Sequence, residues 1–324
     1  MQRRHALMAF GGFALAGAHP FGAAQDAWPT RTVKIIAPVA PGGGVDLVAR
    51  TMAERLGKAL GQSFIVDNQS GGGGTIASQA VTRATPDGYT LLLGYVGTHG
   101  TNPAVRKLPY DAIGGFTPIG MIGGTPNVLV VSPAVPANNV TEFVAWLRAN
   151  PGKVSYGSAG QGTLTHLVME QFKEDTKTFM VHVPYRGIGP AILDVLGNQT
   201  QAMFPGLAAA LPHITAKKLR PLAVTGAKRH RLLPDVPTME ELGFKGFDGV
   251  QWYGIMGPPN LPPAITQRLN TEINAQLAQP DLRDKLAAEA LETMPMAPEK
   301  FAAYIKGDIA KWTRLVQSRK IVID

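Results

Sequence analysis

Apolar runs of strand length alternate with segments of helical period along most of the chain. Seven of these runs are almost continuous in apolar or β-branched side chains, as the buried strands of parallel sheets are. In chain order they are TVKIIAPV, SFIVDN, YTLLLGYV, VLVVSP, KVSYGSAG, MVHVPY and RPLAVTG. An eighth apolar run, VQWYGIMGPP, ends in two consecutive prolines.

Helical stripes of apolar residues, three or four positions apart, follow several of these runs. They are Val45, Val48, Met52 and Leu56; Leu164, Leu167, Val168 and Phe172; Ile265, Leu269, Ile273 and Leu277; and Phe301, Ile305, Ile309, Trp312 and Val316, in a helix that begins near Pro298. Strands that alternate with helices predict an α/β fold with largely parallel sheets.

The first residues have the pattern of a secretory signal peptide. A basic start, MQRRH, precedes the apolar stretch ALMAFGGFALAGA, and Gly22 and Ala24 offer small side chains for cleavage. This apolar core is shorter than the roughly 20 residues that a membrane-spanning helix needs. We therefore expect residues 1–24 to direct export to the periplasm, by the Sec route or, given Arg3 and Arg4, by the twin-arginine route.

The composition of the chain limits the classes of function that it can have. The chain has 324 residues, of which 45% are hydrophobic and 17% are charged, which is typical of a globular protein long enough for two domains. The formal net charge is +8, but the basic residues are dispersed, which disfavours nucleic acid as a partner. The chain has no cysteine, which excludes disulfides and thiolate chemistry.

Three glycine-containing junctions join a predicted strand to a predicted helix. They read APGGGVD (40–46), GSAGQGTLTH (157–166) and VPYRGIGPA (183–191). The first N–H groups of a helix have no partner within the helix and carry partial positive charge, so each junction can bind an anion. Three such junctions indicate a shared cleft.

Enzyme motifs fit these junctions poorly. PGGGVDLVAR lacks both the Gly-Lys-Ser/Thr of a P-loop and the G-x-G-x-x-G spacing of a dinucleotide site. Tyr156 replaces the first glycine of a nucleophile elbow around Ser158, and His166 lies within the following helix. The histidines show no metal-ligand spacing, so we expect no metal site. Together with the missing motifs, this leads us to expect no cofactor and no enzymatic activity. An exported hydrolase that uses Ser158 remains an alternative.

Read in order, the motifs resemble a known family. They are WPTRTVKIIAPVAPGGGVDLVAR, GQSFIVDNQSGGGGTIAS, ATPDGYTLLLG, YGSAGQGTLTHL, VPYRG, PDVPTMEELG and WYGIMGPPNLP. Together they resemble the extracytoplasmic solute-binding proteins of tripartite tricarboxylate transporters, the Bordetella uptake gene family. The resemblance extends from about residue 28 to residue 312.

The resemblance implies a two-lobed type II periplasmic-binding-protein fold with a ligand cleft between the lobes. Lobe 1 would comprise residues 28–128 plus 250–324, and lobe 2 residues 129–249. A monomer would capture a small carboxylate and deliver it to two integral membrane transporter subunits. A sensor that presents its ligand to a membrane signalling partner would need the same lobes and is a second alternative.

The resemblance also implies the site. Lobe 1 would supply backbone amides and a threonine hydroxyl, and lobe 2 would bind the same end of the ligand and line the far wall. The implied ligand-binding residues are Val39, Pro41, Gly42, Gly43, Thr98, Ser158, Gly160, Gly162, Thr163, Tyr185, Gly187 and Phe204. Asp46, His166 and Gln201 would be structural residues near the site.

Three positions depart from the family pattern. Val39 stands where an aromatic residue is common, Pro41 where alanine is common, and Gln201 where aspartate is usual. Valine leaves more volume, proline lacks an N–H group, and glutamine removes a charge. The ligand therefore stays open among acidic amino acids, citrate-like acids, nicotinate-like acids and aromatic dicarboxylates.

Overall fold

The computed structural model describes residues 28–321 of the chain. The predicted signal peptide (1–24) and the last three residues of predicted lobe 1 lie outside the described residues. Within that range the chain forms two β-sheets surrounded by α-helices. No helix between residues 28 and 321 is both long and apolar enough to cross a membrane.

Eleven strands form the sheets in the described part of the chain. They are β1 Val33–Ala37, β2 Phe64–Asn68, β3 Thr90–Tyr95, β4 Thr117–Pro126, β5 Val128–Val131, β6 Ser155–Ser158, β7 Val181–Pro184, β8 Ala202–Met203, β9 Arg220–Val224, β10 Val250–Gly257 and β11 Glu292–Thr293. The eight apolar runs of the sequence correspond to β1, β2, β3, β5, β6, β7, β9 and β10. The sequence pattern did not predict β4, β8 or β11.

Residues 28–321 contain ten α-helices. They are α1 Gly44–Leu60, α2 Thr75–Thr82, α3 Asn102–Val105, α4 Val140–Ala149, α5 Leu164–Thr176, α6 Ile188–Leu196, α7 Leu207–Thr215, α8 Pro263–Leu277, α9 Pro280–Ala288 and α10 Pro298–Arg319. A 3-10 turn, Gly72–Gly74, precedes α2, and a π-helical turn, Gly97–Thr101, precedes α3. The predicted stripes on α1 and α5 are fully buried.

Both sheets are mixed. In the first sheet, ordered β11-β4-β10-β3-β1-β2, β1 is parallel to β2 and β3, while β10 is antiparallel to β3 and β4. In the second sheet, ordered β7-β6-β8-β5-β9, β6 is parallel to β7 and β8, while β5 is antiparallel to β8 and β9. The prediction of largely parallel sheets is therefore wrong. β4 and β10 carry the chain in opposite directions at the passages between the sheets, so they pair antiparallel.

The chain passes between the sheets twice, after β4 and before β10, and the two passages are hydrogen-bonded to each other. The Asn127 N–H group donates to Thr225 Oγ1 (2.9 Å), and that hydroxyl donates to the Gly249 carbonyl (2.7 Å). Asn127 Nδ2 donates to the carbonyl of Phe204 in the second sheet (2.6 Å). The two α/β units are thus joined at the chain passages, and they also meet where α10 packs on α5, through the Arg319–Glu170 ion pair (3.1 Å).

Candidate functional site

A cavity of about 210 Å³ lies between the two sheets. Residues near the ends of β3 and β6 line it, together with Gln251 from β10. From the first-sheet side the lining is Gly73, Tyr95, Val96, Gly97, Thr101, Asn102 and Arg106, and from the second-sheet side it is Ala159, Gly162, Thr163, Leu164, Thr165 and Ile188. Ligands of open α/β sheets bind beyond the carboxyl ends of the strands, which is the position of this cavity.

Three larger cavities, of about 480, 380 and 250 Å³, lie elsewhere. One is a surface groove between Lys228 and helix α9. Another lies beside the junction, lined by Pro126 and Val250. The third lies along α1 and contains Gly42, Gly43 and Asp46 of the first glycine junction, but no residue of the second sheet. The cavity between the sheets combines residues of the second and third glycine junctions with residues of the first sheet, and it is therefore the candidate site.

The second-sheet wall presents the beginning of helix α5. The N–H groups of Leu164 and Thr165, its first two residues, have no partner among the described residues. The loop before them uses its own donors internally: Gly160 donates to Ser158 Oγ (3.1 Å) and Gly162 to His166 Nδ1 (3.1 Å). Gly160 and Gly162 were predicted to bind the ligand, but among the residues of this loop and helix start that line the cavity, the N–H groups that remain for a ligand are those of Leu164 and Thr165.

Ser158 lies behind this wall. Its side chain is fully buried, and its Oγ atom lies 2.6 Å from His182 Nε2 and also bonds to Gly160. The hydroxyl therefore braces the loop instead of facing the cavity, contrary to its predicted ligand contact. Thr163 does line the cavity, although its hydroxyl donates to the Gly160 carbonyl (2.7 Å).

Two stacked histidines support the α5 loop. The rings of His166 and His182 lie 4.0 Å apart and almost parallel. Burial lowers the pKa of each imidazole to about 4, so both rings are neutral near neutral pH. Because His166 Nδ1 accepts the N–H of Gly162, its proton is on Nε2. The pair holds the loop without adding positive charge beside the cavity.

Asp46 fixes the first glycine loop. This buried carboxylate accepts hydrogen bonds from the Gly42 N–H group (3.0 Å), Arg50 Nε (3.0 Å) and Asn68 Nδ2 (2.8 Å). Burial raises the pKa of Asp46, but these three hydrogen bonds outweigh burial and hold the pKa below its usual value. Gly42 is therefore not a free donor, contrary to prediction.

The remaining residues of the first loop are more open. Pro41 has no N–H group, whereas the N–H groups of Gly43 and Gly44 have no partner among the described residues. The loop adjoins the first sheet, because a Cβ atom on Gly44 would lie 3.1 Å from Tyr253 Oη. Val39 is half-buried and packs against the first-sheet core. Gly43 and Gly44 thus keep free N–H groups, but neither residue lines the cavity between the sheets, and Gly43 lines a separate pocket beside α1.

Thr98 differs from its predicted role. Its hydroxyl lies in the wall, where it accepts from the Tyr95 N–H group (3.2 Å), donates to the Tyr95 carbonyl (3.1 Å) and lies 2.8 Å from His99 Nδ1. The side chain is fully buried. It stabilises the turn after β3, and its neighbours Tyr95, Gly97 and Thr101 reach the cavity in its place.

Three predicted wall residues lie away from the cavity lining. The Tyr185 hydroxyl donates to Asp194 of α6, and the Gly187 N–H group donates to the Ala159 carbonyl (3.2 Å). Phe204 is fully buried among the aromatic rings of the second-sheet core. Ile188, next to Gly187, supplies the apolar contact on this side.

Gln201 lies at the far end of the second sheet. Its Oε1 atom accepts from the N–H group of Ser155, the first residue of β6, whereas the cavity lies beyond Ser158 at the other end of that strand. The prediction that Gln201 is near the site is wrong. Its Nε2 atom also donates a hydrogen bond to the Asn198 carbonyl (3.2 Å), so the side chain stabilises the turn before β8.

Arg106 is the main site residue that the sequence analysis missed. It is the one charged side chain among the described residues that line the cavity. No hydrogen bond or ion pair involving its guanidinium occurs in residues 28–321, and its Nε atom is buried without a partner. Burial raises the pKa of Tyr95 to about 12, while the nearby Arg106 charge acts in the opposite direction. No motif in the sequence marked Arg106, because it follows a helix and not one of the glycine junctions.

Metal binding has no support within residues 28–321. No group of three or more His, Asp or Glu side chains is close enough there to hold an ion. The chemistry of the cavity is that of backbone amides, one guanidinium, side-chain amides and aromatic surface.

The mixed sheets, the double passage and the cavity between the units define a two-lobed α/β solute-binding protein of the periplasmic type. The chain belongs to the tripartite tricarboxylate transporter receptor family, whose model matches residues 48–321. Protein BugT of Bordetella pertussis is 33% identical over 298 residues, covering 90% of each chain. The resemblance drawn from the sequence motifs is thereby confirmed.

Solved structures agree with this assignment. R. palustris Rpa4515 with adipate superposes with a TM-score of 0.82 at 34% identity, covering 91% of this chain and 99% of that chain. MatC of Rhodopseudomonas palustris with bound malate has a TM-score of 0.77 at 30% identity, covering 89% of this chain and 100% of that chain. The predicted α/β type II binding-protein fold is confirmed.

Proposed function

We propose that this protein captures a small organic acid between its lobes and delivers it unchanged to a membrane carrier of the tripartite tricarboxylate type. One observation carries the proposal. The unpaired N–H groups of Leu164 and Thr165, at the start of a 13-residue helix, share a cavity with the Arg106 guanidinium, and no acidic side chain of residues 28–321 lines that cavity. A helix start and a guanidinium both favour a carboxylate.

The energetics of such a site are sufficient for capture. A hydrogen bond to a charged group contributes about 1.5–3 kcal/mol. Several such bonds, after the cost of association, leave the roughly 8 kcal/mol that micromolar affinity requires. The cavity of about 210 Å³ is smaller than the roughly 300–1,000 Å³ of sites for drug-sized ligands, which favours a small acid.

The ligands of relatives support the same chemical class. The similar R. palustris structures hold adipate and malate, which are both small carboxylates. Val39 and Pro41 depart from the family pattern beside the first loop, so we do not transfer either ligand to this chain. Carboxylate binding is the shared property that we propose.

Hydrolysis is a second candidate, because Ser158 Oγ and His182 Nε2 are 2.6 Å apart. A serine nucleophile needs such a base, a third group that orients the base, and access to substrate. Ser158 is fully buried, and no carboxylate among the described residues accepts a hydrogen bond from His182. Binding without conversion therefore fits this arrangement better.

We extend the proposal to the cellular setting. Residues 1–24 would be removed on export to the periplasm, and the mature monomer would divide into lobe 1 (28–128 plus 250–324) and lobe 2 (129–249). Closure of these lobes would present the ligand to two integral membrane subunits. Amino-terminal sequencing of the protein from a periplasmic extract tests the cleavage site, and a start at residue 25 is expected.

Calorimetric titration with adipate, malate, citrate, nicotinate, phthalate and L-glutamate tests the binding function. The critical variant is Leu164→Pro, which removes one free N–H group; proline is tolerated at the first helical position, and Thr163 before it is already extended. Its matched control is Leu164→Ala, which loses the same buried side chain but keeps the N–H group.

We expect at least one acid of this panel to bind in the micromolar range or tighter. Leu164→Pro should then bind about 10- to 100-fold more weakly than Leu164→Ala, because one charge-assisted bond is lost. Equal affinities in the two variants, or no heat with any of the six acids, would exclude the proposed site.

A further inference from the structure

The position of Arg106 is set by the glycine turn before α2. Arg106 follows α3, and its N–H group donates to the Asn102 carbonyl (3.1 Å). Asn102 Nδ2 in turn donates to the Gly73 carbonyl (2.8 Å). A Cβ atom on Gly73 would lie 3.5 Å from Arg106 Nη1, and Gly73 has a φ angle of +66° that favours glycine. The turn therefore supports the guanidinium at the cavity wall.

The guanidinium has no counter-ion in residues 28–321. The ion pairs in this range leave Arg106 out, and Asn102, which lies with Arg106 beside Gly73, is uncharged. Tyr95 and Tyr110 are close enough to sense its charge, and burial raises the pKa of both, so they are neutral at pH 7. A partly desolvated cation without a partner is costly, and an anion from outside the chain offsets that cost.

We propose that Arg106 determines specificity by binding a second carboxylate, so that the ligand is a small dicarboxylate dianion. This inference rests on the proposed function. One carboxylate lies on the free amides of Leu164 and Thr165 in lobe 2, and the other pairs with Arg106 in lobe 1. The two groups line the same cavity from opposite lobes, so a dianion connects the lobes when they close. A guanidinium suits the second carboxylate because it can bind both oxygens at once.

The same lining disfavours acidic amino acids. An α-ammonium group needs a carboxylate or several oriented oxygen acceptors when it is removed from water. No Asp or Glu among the described residues lines the cavity. Glutarate should therefore bind more tightly than L-glutamate, which has the same five-carbon chain and two carboxylates but carries an added ammonium group.

Paired acids of equal chain length test the inference by calorimetry. The diacids succinate, adipate and suberate are compared with the monoacids butanoate, hexanoate and octanoate, on the native protein and on Arg106→Gln. Lys107→Gln is the matched control, since Lys107 is the exposed neighbouring cation and does not line the cavity. Arg106→Lys keeps the charge but loses the planar guanidinium that can donate to both oxygens of a carboxylate.

For the native protein we expect the best diacid to bind at least 10-fold more tightly than its matched monoacid. Arg106→Gln should weaken that diacid about 10- to 100-fold and change the monoacid less than threefold. Arg106→Lys should keep part of the preference, and Lys107→Gln should match the native protein. Circular dichroism and the melting temperature report whether each variant is folded.

Different results would overturn the proposed carboxylate capture and the proposed role of Arg106. If monoacids and diacids bind the native protein equally, or if Arg106→Gln weakens both by the same factor, Arg106 does not bind a second carboxylate and the inference is overturned while carboxylate capture stands. If L-glutamate binds more tightly than glutarate, the cavity accepts an ammonium group and the assignment of the ligand as a dicarboxylate dianion is wrong. Absence of binding by every acid overturns both proposals.

Discussion

At the scale of single residues, the glycine loops are held by hydrogen bonds to their own neighbours. Asp46 accepts the N–H of Gly42, and His166 accepts that of Gly162. Ser158, which is fully buried, performs the same role for Gly160. The loops consequently act as supports that position the first turns of α1 and α5, and these turns carry the free donors.

Asp46 gives a direct test of this supporting role. Asp46 is 4% exposed and its carboxylate accepts three hydrogen bonds, so Asp46→Ala removes three bonds to a charged acceptor that hold the loop. We expect the free energy of unfolding to fall by about 2 kcal/mol, as measured by urea denaturation. Glu54→Ala on the same helix removes only exposed ion pairs, with Lys58 and Lys285, and should change stability much less than Asp46→Ala does. Equal effects in the two variants would show that Asp46 does not hold the loop.

The sequence predicted the regions of the site better than its individual donors. The junction pattern placed Gly162 and Thr163, which do line the cavity, because strand-to-helix turns converge at one edge of a sheet. It did not show that the donors of Gly42 and Gly162 are already used, since side-chain bonds four residues along the chain decide that. Arg106 was missed because a lone basic residue has no distinguishing pattern.

At the scale of secondary-structure elements, apolar periodicity found most strands and failed where glycine is required by packing. Strand β4 contains Gly120, Gly123 and Gly124, which suggest turns in a single sequence. A Cβ atom on Gly123 would lie 2.2 Å from the Glu292 carbonyl oxygen, and one on Gly124 would lie 2.3 Å from Val250. Neighbouring strands therefore demand these glycines, and such non-local contacts are not visible in the sequence.

Helix α10 is joined to strand β10 by a pH-sensitive contact. Asp308 of α10 accepts a hydrogen bond from Trp252 Nε1 (2.7 Å), with Asp248 and Lys311 nearby. Burial raises the pKa of Asp308 to about 6, although the Trp252 hydrogen bond and the charge of Lys311 oppose it. The native state thus keeps this proton to a higher pH than the unfolded chain does, and the associated stability is lost as the pH rises from about 4 to about 6.

Asp308→Asn removes this titration and keeps an acceptor for Trp252. We expect the free energy of unfolding of the variant, relative to the native protein, to increase by about 1–2 kcal/mol between pH 4 and pH 7, with partial solvent screening taken into account. Urea denaturation at pH 4, 5, 6 and 7 measures this difference. Asp284→Asn, at an exposed position on α9, should show no such trend. A constant difference for Asp308→Asn across these pH values would contradict the assignment.

At the scale of the whole molecule, the proposed function depends on two α/β units that are joined at the chain passages and by the packing of α10 on α5. Asn127, Thr225 and Gly249 join the two passages of the chain, while the cavity opens between the sheets. In the proposed mechanism, rotation about the passages would bring the Arg106 wall towards the start of α5, which is hinge closure around a ligand. A ligand with one negative group at each end would contact both lobes and stabilise the closed form.

A crystal structure of the mature protein with its tightest-binding diacid tests the central claim most directly. We predict one unaltered ligand between the lobes, with one carboxylate accepting hydrogen bonds from the N–H groups of Leu164 and Thr165 and the other paired with Arg106. A ligand bound outside this cavity, or one whose carboxylates contact neither the start of α5 nor Arg106, would contradict the account.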